Sequence, residues 1–127
     1  LDLMCKRVES RVAFGKKLSE QGSIRQEVAK SRCEIEQARL LTLSAADKLD
    51  KYGNKEAKDL IAMIKIVAPR MCQEVADRAM QAHGGMGLCQ DTPIANLFSY
   101  ARFVRMADGP DEVHMAQLGK MTIKAAN

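Results

Sequence analysis

Apolar residues return every three or four positions along most of the chain, the period of an α-helix with one covered face. From about Ser23 to Tyr52 they fall at Ile24, Val28, Ile35, Ala38, Leu41, Ala45 and Leu49. At ~1.5 Å per residue this predicts a helix about 45 Å long. A second run, from about Lys55 to Ala82, places Ala57, Leu60, Ile61, Ile64, Ala68, Met71, Val75 and Ala79 on one face, with Pro69 inside it as the expected kink. A shorter first segment carries Leu3, Val8, Val12 and Phe14 to about Leu18, before a break at Gly22. Asp91-Thr92-Pro93 predicts a helix start with Thr92 as N-cap and Pro93 at the first helical position, followed by Ile94, Leu97, Phe98, Ala101 and Val104. A last helix is expected from about Pro110 to Lys124. Gly53-Asn54, His83-Gly84-Gly85-Met86-Gly87 and Asp108-Gly109-Pro110 separate these runs. No useful length alternates with period two, so no strand is expected. Short connections between long helices imply antiparallel neighbours. The expected fold is all-α, a single domain over 1–127 built as an up-down four-helix bundle with an additional short helix.

Composition adds bounds. The 127 residues are 46% hydrophobic, enough for one core. The densest apolar stretch, Leu60-Ile61-Ala62-Met63-Ile64, falls far short of the ~20 residues needed to span a bilayer. The opening Leu1-Asp2-Leu3-Met4-Cys5-Lys6-Arg7 is charged, unlike a signal peptide, and starts without Met inside a helical pattern. A piece of a longer protein is therefore expected. The formal net charge of +4 comes from bases interleaved with acids, as in Lys55-Glu56-Ala57-Lys58-Asp59. Such mixing marks solvated helix faces and argues against nucleic acid, which favours a one-sided basic stripe. Cys5, Cys33, Cys72 and Cys89 form no C-x-x-C pair, so they read as reduced, packed thiols in a reducing compartment rather than zinc ligands or a redox pair. His83 and His114 make no metal-binding repeat, and no metal site is expected.

Two corners carry candidate chemistry. The glycines of His83-Gly84-Gly85-Met86-Gly87 let a ligand approach the main chain, although they follow a helix rather than a strand and equally suit a plain helix C-cap. In Asp108-Gly109-Pro110-Asp111-Glu112, the last two carboxylates are explained by the positive end of a helix dipole. Asp108 lies outside that cap and is the candidate catalytic group.

Three segments in this order resemble the C-terminal domain of the acyl-CoA dehydrogenases: Arg11-Val12-Ala13-Phe14-Gly15-Lys16-Lys17-Leu18, Gln81-Ala82-His83-Gly84-Gly85-Met86-Gly87 and Asp108-Gly109-Pro110-Asp111-Glu112-Val113. The resemblance covers nearly the whole chain. With Asp where most of the family has Glu, it is greatest to acyl-CoA dehydrogenase family members ten and eleven. It implies an FAD enzyme that oxidises the α,β bond of an acyl-CoA thioester, a carboxylate taking the α-proton while the β-hydride passes to flavin N5. By position, Asp108 matches the base and Gly109 would lie against the thioester. Arg11 and Phe14 match contacts to the flavin of a neighbouring subunit, as do Gln81, Gly84 and Gly85. A homodimer or tetramer is therefore implied, together with an electron-transfer flavoprotein as partner and the mitochondrial matrix or peroxisome as compartment.

These residue types suit those roles. Arg11 offers a permanent charge and several donors to a pyrophosphate. A base for a weakly acidic C–H needs a dry pocket, closed here by acyl chain and flavin. Three departures stand out. Asp108 is one methylene shorter than the usual Glu. Gly22 stands where a flavin-contacting Gln is common, with Gln21 facing about 100° away if helical. Pro110 and Glu112 replace the usual Thr and Gln. The resemblance also admits a catalytically inactive oligomerisation scaffold of the same descent. A free-standing helical adaptor would leave Arg11 and the glycine corners without a shared purpose.

Overall fold

Gly53 turns the longest helix back on itself. In the computed structural model, which describes residues 1–127, α2 runs Gly22–His83, and Gly53 alone within it leaves helical dihedrals, at φ 80° and ψ 173°. A left-handed φ suits a residue without Cβ. The arms 22–52 and 54–83 run antiparallel and are tied at both ends. Near the turn Lys48 Nζ lies 2.9 Å from Asp59 Oδ1. At the open end the Arg78 guanidinium pairs with Glu34, with an Nη1–Oε2 distance of 2.5 Å, and donates to Ser31 Oγ at 3.2 Å. Along both arms the most buried side chains are small, among them Ser31, Ala38, Ala45, Ala57 and Ala62, so the larger apolar residues beside them are only half covered.

The remaining helices, α1 (Asp2–Ser10), α3 (Ile94–Val104) and α4 (Asp111–Ala125), all pack on α2. Met4 and Val8 of α1, Ala79 and Ala82 of α2 and Ile94 of α3 form one buried cluster, with Leu18, Ile24 and Val28 against it. The two arms with α1, α3 and α4 give the expected all-helical bundle and its additional short element.

Four local expectations are corrected. The first segment is not helical to Leu18: α1 ends at Ser10, and Arg11 is extended at φ −87° and ψ 123°. A strand pair follows, β1 (Val12–Ala13) antiparallel to β2 (Lys16–Lys17) with Ala13 opposite Lys16. Two-residue strands are too short to show alternation, and their turn is closed by Phe14-Gly15, both at positive φ as a tight hairpin requires. Thr92 does not cap α3. Pro93 holds the N-cap position, and Thr92 Oγ1 donates to the Met86 carbonyl at 3.3 Å, tying the glycine corner to the helix entrance. Gln21 is the extended N-cap residue of α2, not a residue one helical step from Gly22. At Pro69 the dihedrals stay helical, and the chain reverses at Gly53.

Candidate active site

The sequence-predicted residues separate into two places. Arg11, Phe14, Gln81, Gly84 and Gly85 belong to the open end of the α2 hairpin. There the Arg7 Nη2 donates to the His83 carbonyl at 3.4 Å, joining the end of α1 to the end of α2. Phe14 is 97% exposed although apolar, and its φ is 55°. For a residue with a Cβ this conformation costs roughly 1–2 kcal/mol. Its side chain recovers nothing by packing within the chain. Arg11 and Gln81 are exposed. A Cβ built on Gly84 or Gly85 meets nothing within 4 Å, so the main chain there is open to a ligand. Gly84, at φ 65°, also ends α2, its amide donating to the Gln81 and Met80 carbonyls. Gly87, which the sequence did not single out, has the tightest surroundings: a Cβ would lie 2.7 Å from Met80 Cα and Met80 O. His83 is buried with Nδ1 2.8 Å from the Ala79 carbonyl oxygen, a packing role.

The second place is the loop between α3 and α4. Asp108 has φ 53° and, with Phe14, completes the set of non-glycine residues at positive φ. It borders an open hollow of about 440 Å³ shared with Thr42, Ile61, Ile64, Lys65, Ala68, Pro69 and His114. The loop backbone is held by side chains that the sequence reading passed over. Lys65 Nζ donates to the Val104 carbonyl at 2.6 Å and to the Gly109 carbonyl at 3.3 Å. His114 Nε2 lies 3.1 Å from the Asp108 carbonyl oxygen. Gly109 is required twice over: its φ is 100°, and a Cβ would come 3.1 Å from His114 Nε2. Asp111, read from sequence as a dipole partner, is also buried in an ion pair with Arg105. Nothing in the spacing marked these residues, because Lys65 and Arg105 look like any base on a mixed-charge helix.

The sixteen helical steps of α2 from Lys65 to Gln81 span about 24 Å. Asp108 and the glycine corner therefore do not converge within one chain. No group of three or more His, Cys, Asp or Glu side chains is disposed to hold a metal ion, and no helix is long and apolar enough to cross a membrane.

Residues 1–123 match the family described as acyl-CoA dehydrogenase, C-terminal domain. The chain belongs to that family. It is 56% identical over 124 residues to acyl-CoA dehydrogenase family member 10 of Mus musculus, covering 98% of this chain and 12% of the relative. To acyl-CoA dehydrogenase family member 11 of Rattus norvegicus it is 49% identical over 124 residues, covering 98% of this chain and 16% of the relative. The solved butyryl-CoA dehydrogenase of Megasphaera elsdenii superposes with a TM-score of 0.89 at 29% identity, covering 96% of this chain and 31% of that one. The chain thus spans less than a third of the length of each of these relatives. Within this acyl-CoA dehydrogenase domain, Phe14 and Asp108, the two non-glycine residues at positive φ, fall on two of the three segments that carry the resemblance in sequence.

Proposed function

We propose that this chain is the part of an FAD-dependent acyl-CoA dehydrogenase that supplies the catalytic base, Asp108, to one active site. In the same proposal its open end supplies flavin contacts to a neighbouring subunit's site. The observation that carries the proposal is Asp108 itself, a carboxylate on a left-handed backbone beside a hollow walled by Ile61, Ile64, Ala68 and Pro69. Strained backbone of this kind persists where the surrounding structure over-determines it, and it gathers at functional sites.

The residues at the open end suit a flavin dinucleotide. Arg11 is free to meet a pyrophosphate, the unobstructed backbone of Gly84 and Gly85 admits close approach, and Gln81 adds an amide. Phe14 presents a bare aromatic face. The separation of about 24 Å supports contacts to a second subunit's flavin rather than to the flavin beside Asp108. A homodimer or tetramer follows from this division. Seventeen large apolar side chains are exposed on the chain, among them Leu40, Leu43, Tyr100 and Phe103, a surface that assembly would cover.

A bound flavin, held in part by Arg11, Phe14, Gln81, Gly84 and Gly85 of a neighbouring subunit, would supply the acceptor for the β-hydride of the acyl group. Asp108 takes the α-proton as the Cα–H bond breaks, and the carbon–carbon double bond forms between the α and β carbons. Gly109, lacking a Cβ, lets the thioester lie against the loop. Ile61, Ile64, Ala68 and Pro69 give the hollow beside Asp108 an apolar wall against which an acyl chain would pack. An electron-transfer flavoprotein is the expected electron acceptor. The four unpaired cysteines suit a reducing compartment, the mitochondrial matrix or peroxisome.

The test is anaerobic addition of a panel of acyl-CoA thioesters to the full-length, flavin-loaded protein while flavin absorbance is followed. Bleaching by one class of acyl chain is the expected result. Persistent colour with every thioester would favour the scaffold.

A further inference from the structure

On the premise that Asp108 is the base, we propose that Arg105 is a positioning residue, closing the Asp108 loop into a clasp through Asp111 and mooring it to α2 through Gln73. The clasp has a covalent span of seven residues, 105–111, and is closed twice. The Asp111 amide donates to the Arg105 carbonyl at 3.2 Å, and Arg105 Nε and Nη2 both reach Asp111 Oδ2 at 2.7 Å. The remaining arm of the guanidinium, Nη1, donates to Gln73 Oε1 at 2.9 Å. Three helices thereby meet at one side chain: α3 at its C-terminal cap, α4 at its first residue and the second arm of α2.

The energetics make Arg105 hard to replace. Asp111 is 7% exposed, its Oδ1 is buried without a partner, and Arg105 is the only partner of its side chain. A buried carboxylate stripped of its one cation is strongly disfavoured, so loss of Arg105 forces Asp111 toward water. Moving Asp111 moves the loop, which holds two consecutive residues at positive φ, Asp108 at 53° and Gly109 at 100°. Left-handed geometry at Asp108 is unfavourable by itself and needs such closure to persist. Lys65 holds the Val104 and Gly109 carbonyls and His114 the Asp108 carbonyl, whereas Arg105 joins the first residue of the loop to the last through Asp111. Lysine at 105 could reach Asp111 or Gln73 but could not present a fork to both.

The experiment uses the full-length, flavin-loaded protein with Arg105→Gln, Arg105→Lys and Asp111→Asn, each alone, and Arg105→Gln combined with Asp108→Asn. Arg105→Gln is expected to lower kcat about 10- to 100-fold, the scale of an ångström-sized misplacement. KM and flavin content should hold steady, and Arg105→Lys should recover part of the loss. Amide hydrogen exchange over 106–111 should quicken in Arg105→Gln, a readout independent of turnover. Added to Asp108→Asn, the same substitution should cost nothing further, because the clasp acts through Asp108. If Arg105→Gln does not fold, Asp111→Asn reads the same clasp from its other side. A full kcat in Arg105→Gln, unchanged exchange, or an equal further loss in the Asp108→Asn background would overturn the positioning role. Wild-type turnover by Asp108→Asn alone would instead remove the premise.

Discussion

Phe14 and Asp108 are the only residues with a Cβ that adopt positive φ, one in the hairpin after α1 and the other in the loop between α3 and α4. For Phe14 the strain is not repaid inside the chain, since the ring is almost wholly exposed. Phe14→Gly should therefore leave the melting temperature of the flavin-free protein unchanged or raised, while flavin dissociates about tenfold more readily, the worth of one aromatic contact. Equilibrium dialysis beside a thermal melt separates the two effects. The glycine corner shows what sequence conveys at this scale. The cluster His83-Gly84-Gly85-Met86-Gly87 was visible as a break with open backbone, but not which glycine packs. Gly87→Ala drives a Cβ to 2.7 Å from the Met80 backbone, where Gly85→Ala meets nothing within 4 Å. Gly87→Ala should lower stability by about 1–3 kcal/mol and Gly85→Ala by far less, as read from denaturant midpoints.

Among elements, the long helices were legible because their apolar period runs for many turns. The hairpin was not, because Val12-Ala13 and Lys16-Lys17 are too short to carry a pattern and only the turn at Phe14-Gly15 defines them. The cross-links between elements were also hidden. Arg78 joins the two arms of α2 by pairing with Glu27 and Glu34, partners more than forty positions away in sequence. Hydrogen bonding from Arg78 holds the Glu34 carboxyl below its usual range. A carboxyl lowered by folding adds stability that is complete above its unfolded value of about 4.3 and is lost as pH falls through the folded value. The melting temperature should therefore drop on acidification below about pH 4.3, and Glu34→Gln should flatten part of that drop. Glu34 keeps some contact with solvent, so screening limits its share.

At the scale of the whole molecule, 17 of 127 residues are buried, and small alanines make up much of the core. The sequence announced the bundle through its apolar faces. It could not say that those faces would remain half covered, because periodicity marks a face without naming what covers it. The same holds for the site. Asp108 and the glycine corner were legible through motifs, whereas Lys65, Arg105 and His114 became visible only when α2, α3 and α4 met around the loop. In the proposed function, the distance between the two places divides the labour between subunits, with Asp108 taking the proton from the substrate. The most direct measurement is anaerobic mixing of the full-length, flavin-loaded Asp108→Asn protein with an acyl-CoA that bleaches the parent. Slowing of about 10²- to 10⁴-fold with flavin content unchanged is the predicted result, the range expected for a lost general base. Bleaching at the parent's rate would contradict the assignment of Asp108 as the base.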